Sequence, residues 1–169
     1  MRYSDIILRR KCWSKMEPLL EQKIFSRQID IFILACSIGI CEDKFLEDDK
    51  EDCMLEDKSI GRNTIQTNFD LQELLIYLYQ NAVLNTKNID LSVDERKQAA
   101  FDLDNDMKVG NMSFEALLTK FADYGMSILA EKVTDHPFET LNNVVDLMEY
   151  YKNNLDLLCD VDVTITPEL

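Results

Sequence analysis

Three aspartates offer the clearest chance of chemistry in this chain. Within FDLDNDMKVGNMSFEALL, Phe101 to Leu118, Asp102, Asp104 and Asp106 take the first, third and fifth places of an EF-hand-like register, and Val109 takes the apolar eighth. Alternating carboxylates of this kind converge on a hard cation that needs about six to eight oxygens. Two positions break the pattern. Met107 stands where the sharp turn calls for glycine, and Ser113 stands where a bidentate carboxylate should close the site, with Glu115 two residues late. Weak Ca²⁺ binding at Asp102, Asp104 and Asp106 is the most such a loop would support. The expectation is an exposed connector in which Ser113 caps the next helix and Glu115 lies near the positive end of its dipole.

Other reactive groups are sparse. Cys12, Cys36, Cys41, Cys53 and Cys159 show no CxxC spacing, and His136 is the single imidazole, so neither a zinc site nor a Cys–His nucleophile has local support. No phosphate-binding, dinucleotide-binding, HExxH or GxSxG pattern occurs. No catalytic, cofactor-binding or metal residue is expected, and the chain reads as a non-enzyme. One segment, RRKCW, places Arg9, Arg10 and Lys11 beside Trp13. Positive charge next to an aromatic suits a partner-binding strip; the competing reading is a basic strip flanking a helix, with Trp13 in the core.

The net charge of −14 is unevenly spread over the 169 residues, with a basic first 28 and an acidic remainder. Such a body is repelled by a phosphate backbone, so direct nucleic-acid binding by the chain alone is not expected. Basic protein partners, or imitation of nucleic acid, fit the charge better. The longest apolar run, Ile31 to Cys41, is far short of the roughly 20 residues needed to span a bilayer. No secretory leader pattern opens the chain. A cytoplasmic location without membrane contact follows as an expectation.

The elements that must carry these groups read as helices. Only 4 Gly and 3 Pro interrupt the chain, too few for many tight hairpins. The fold class expected is all-α: a single-domain bundle of about six helices over 1–158, with an acidic loop at 41–63 and a tail at 159–169. A first helix starts at Ser14–Glu17 and runs to about Lys23. A central helix spans about 27–38, capped by Ser26 and ended by Gly39; a buried β-strand is the competing reading of FILACSIGI. The next begins at Asp70, with Leu71, Leu74, Leu75, Leu78 and Ala82 at helical spacing and Tyr77 and Tyr79 at its margins. Ser92 and Glu95 start another, in which Val93, Arg96, Ala99, Ala100 and Leu103 lie broadly on one side. Ser113 opens FEALLTKFADYG, ended by Gly125, and MSILAEKV follows as a short separate helix. Pro137 starts a last helix to Leu158, packed on the core through Leu141, Val144, Val145, Leu147, Met148 and Tyr151. The β-prone tail VDVTITPEL would be free to add a strand to another chain.

Two of these stretches, FSRQIDIFILACSIGI (Phe25 to Ile40) and FEALLTKFADYG (Phe114 to Gly125), together with DERKQAAFD between them, carry a family likeness. The chain resembles small helical accessory proteins encoded beside DNA phosphorothioation (Dnd-type) and related prokaryotic anti-phage modules. The resemblance implies a non-catalytic subunit working inside bacteria with a larger ATPase, helicase or nuclease protein. It transfers no catalytic residue, because the matching positions are structural in type: Phe32, Ala35 and Gly39 in one stretch, Phe121, Ala122, Tyr124 and Gly125 in the other. The acidic stretch at 41–63 lies outside it.

Overall fold

The structure, a computed structural model, describes residues 3–9, 13–14, 16–46, 58–102 and 107–158, with side chains as far as 154. The expectations for Arg10, Lys11, Leu103, Asp104, Asp106, the middle of the acidic stretch and the C-terminal tail lie outside these residues. The fold is mostly helical, as expected. Among the described residues there are seven helices: α1 (Met16–Glu21), α2 (Gln28–Cys41), α3 (Arg62–Gln66), α4 (Phe69–Asn85), α5 (Val93–Phe101), α6 (Phe114–Ala130) and α7 (Pro137–Leu158). Two short antiparallel pairs accompany them. β1 (Ile6–Leu8) pairs with β2 (Lys58–Ile60), setting Ile6 opposite Ile60. β3 (Lys108–Val109) pairs with β4 (Met112–Ser113).

The molecule is organised around α2 and α6, its most extensive helix–helix contact. α2 is buried on nearly every side, from Ile29 to Gly39, as an apolar run with little polar face demands. Gly39 and Gly125, expected to end helices, lie inside them instead. A Cβ at Gly39 would stand 2.1 Å from the Phe121 carbonyl oxygen, and one at Gly125 would stand 1.8 Å from that of Ala35. The two helices therefore run antiparallel and touch backbone to backbone over one turn each. That approach is nearer than the ~8–10 Å axis separation of ordinary helix pairs. Only glycine admits it.

With its glycine engaged in packing, α2 ends elsewhere. Asp43 takes φ 49, and the Lys44 amide donates to the Gly39 carbonyl at 3.0 Å, the closure that a left-handed residue provides. The Asp43 carboxylate then accepts from the Lys87 amide at 3.0 Å, tying the end of α2 to the end of α4. α6 likewise runs unbroken through Gly125 to Ala130, absorbing the short helix expected after it.

Local signals hold at several other boundaries. The Ser92 hydroxyl accepts from the Glu95 amide and the Glu95 carboxylate accepts from the Ser92 amide, completing the capping box. Asn68, rather than Asp70, caps α4, with its side-chain oxygen 3.0 Å from the Leu71 amide. α2 carries Arg27 at its N-cap with no side-chain cap bond, so Ser26 does not serve there. On α5, Ala100 is buried while Val93 is exposed, so the positions expected on one side divide.

Arg96 has a role that apolar spacing did not suggest. Its guanidinium donates to the carbonyls of Leu91 at 3.0 Å, Val83 at 3.0 Å, Ile89 at 2.5 Å and also Thr86. It thereby gathers the end of α4 and the whole turn into α5.

Candidate functional site

The acid-rich connector resolves first. Met107 adopts φ 37 while its side chain is buried, so the turn is made without the glycine, at the cost of a left-handed non-glycine residue. The Ser113 hydroxyl accepts from the Ala116 amide at 3.2 Å and caps α6, as expected. Glu115 is turned inward: its carboxylate accepts from the Ser4 amide at 2.6 Å. It is committed to holding the N-terminal strand and is directed away from a closing-ligand role. Among the described residues, no group of three or more His, Cys, Asp or Glu side chains is placed to hold a metal ion.

The basic strip divides. Trp13 is 1% exposed and stacks against Phe32 at 6.0 Å between ring centroids. Its indole N–H donates to Asp123 Oδ1 at 2.8 Å, and Arg9 Nε lies 2.9 Å from Asp123 Oδ2. Asp123, a fully buried carboxylate on α6, thus receives both residues. Arg9 and Trp13 are employed in docking the N-terminal segment to α6, in line with the core reading of Trp13 rather than with a surface strip. A lone buried carboxylate would be very unfavourable; a guanidinium and an indole N–H supply the pairing it needs. The signal in the sequence was a single Asp interrupting the apolar stripe of FEALLTKFADYG.

Buried titratable groups elsewhere are structural. Burial raises the Cys36 thiol far above its ordinary value, with Cys41 adding to the shift, and burial likewise raises Cys41. These thiols are poor nucleophiles. Tyr79 is pushed up to about 12 by burial, and its hydroxyl donates to the Ala99 carbonyl at 3.3 Å. A hollow of about 380 Å³ beside α5 is lined by Glu95, Gln98, Asp102 and Lys108 with Leu91 and Val109. Glu95 there is already engaged in the capping box with Ser92.

What remains is the surface of α7. The six apolar positions expected to pack on the core fall into two groups. Val144 and Leu147 are buried and Tyr151 is half-buried, with the Thr140 side chain buried in line with them. Leu141, Val145 and Met148 are 41–48% exposed, and Phe138 before them is 76% exposed. The spacing 138, 141, 145, 148 is the three-and-four alternation of a helix-pairing seam. Tyr150 is exposed on another side of the helix.

Polar anchors fix this orientation. The Thr140 hydroxyl accepts from the Thr134 amide at 3.0 Å, Asn143 Nδ2 donates to the Lys132 carbonyl at 3.2 Å, and the Tyr151 hydroxyl donates to Glu42 Oε1 at 3.0 Å. Burial and then the Glu42 carboxylate raise the Tyr151 pKa, so the phenol stays protonated as a donor. Exposed Glu149 lies next to the seam, exposed Glu139 and Asp146 lie further round the helix, and the sole cation of α7, Lys152, takes the next position of the row after Met148.

No family model, no curated protein and no solved structure matches the chain. No helix among the described residues is long and apolar enough to cross a membrane.

Proposed function

We propose that this chain is a non-catalytic interaction subunit of a bacterial multi-protein complex. The observation that carries the reading is the exposed apolar seam of α7. Four large apolar side chains in one row on a protein of net charge −14 are costly to leave in water and have a use when a partner covers them. The family likeness adds the setting: anti-phage defence, in the cytoplasm, beside an ATPase, helicase or nuclease subunit. The test is co-expression with the products of neighbouring genes, followed by size-exclusion chromatography and native mass measurement. A stoichiometric complex is expected. Failure of every purified neighbour to co-elute would overturn the reading.

A second reading has its own observation. Exposed Glu139, Asp146 and Glu149 extend the acidity beyond the 41–63 stretch and onto α7, as an acidic nucleic-acid mimic or inhibitor of a DNA-binding enzyme would need. Competition separates the two. A mimic is displaced from its partner by duplex DNA, whereas an apolar docking subunit is not.

A further inference from the structure

We draw no further inference here: the strongest candidate, the exposed apolar row of Phe138, Leu141, Val145 and Met148 on α7, carries none because nothing in the structure shows what covers it.

Discussion

Replacing Gly125 with alanine should loosen the central helix pair. The new Cβ would lie 1.8 Å from the Ala35 carbonyl oxygen. That oxygen belongs to backbone inside α2, so no rotamer change relieves the clash. Restoring even a 3.0 Å contact requires α2 and α6 to part by about 1.2 Å. Over a contact patch of roughly 100 Å², this leaves about 120 Å³ poorly filled, and ~24 cal/mol per Å³ makes the cost about 3 kcal/mol. Alanine returns about 1 kcal/mol, because glycine is the poorer helix former. The net loss is about 2 kcal/mol, or roughly 4–8 °C in Tm for a chain of this length.

Gly39→Ala opens the same seam by about 0.9 Å, from 2.1 to 3.0 Å, and should cost somewhat less. Because one separation accommodates both methyl groups, Gly39→Ala/Gly125→Ala should cost clearly less than the two single losses together. Gly61 has nothing within 4 Å of its Cβ position, so Gly61→Ala should change stability by no more than about 1 kcal/mol, the scale of an N-cap preference. Urea unfolding followed at 222 nm reads all four variants. A Gly125→Ala chain as stable as wild type, or strict additivity in the double variant, would refute the backbone contact.

Asp123→Ala should destabilise by about 3–5 kcal/mol, because it strips Arg9 and Trp13 of the carboxylate that holds them; the chain's one Trp lets its fluorescence report the change as a red shift, and an unshifted spectrum would contradict the docking. The Tyr151 pKa is raised in the folded state, so its contribution is complete below pH 10 and is lost as pH rises above that value. Screening at this half-exposed site limits the loss to about 1 kcal/mol; alkaline unfolding curves should show it in wild type and not in Tyr151→Phe. Calcium titration by calorimetry should give no site with Kd below about 10⁻⁵ M, the range of sensor loops, since Ser113 is a cap and Glu115 is bound to the Ser4 amide. A saturable heat in that range would show that the connector rearranges to coordinate.

Helix starts were legible because their physics is local. The Ser92–Glu95 pair and Ser113 bond to amides within a turn of themselves, Pro137 fixes the φ of its own first turn, and each lies where its spacing indicated. Helix ends were not legible at Gly39 and Gly125. Glycine can free a backbone torsion or admit a close neighbour, and the choice depends on a helix some 80 residues away. Asp43 closed α2 with a left-handed turn that carries no obligatory residue type. The same distance hid Asp123, whose partner Trp13 lies 110 residues earlier in the chain. For α7, periodicity established an apolar arc but not its division, since the arc is wider than the surface the body offers to cover it.

That division separates two grades of contact in one molecule. α2 and α6 are held by backbone approach and by apolar side chains such as Phe32, Ala35, Phe121 and Ala122, all of which are fully buried. α7 is held by Val144, Leu147 and the three polar anchors at Thr140, Asn143 and Tyr151. Regions with few buried apolar contacts open at lower free energy than the core. Amide exchange should accordingly be faster along α7 than along α2 or α6 in the free chain. A partner seated on Leu141, Val145 and Met148 would slow exchange in α7 while leaving α2 and α6 unchanged, because it adds contacts to the weaker element without touching the glycine pair. Slowing spread evenly over all three helices would instead mean that the partner stabilises the fold as a whole, and that α7 is bound more firmly to the body than its contacts indicate.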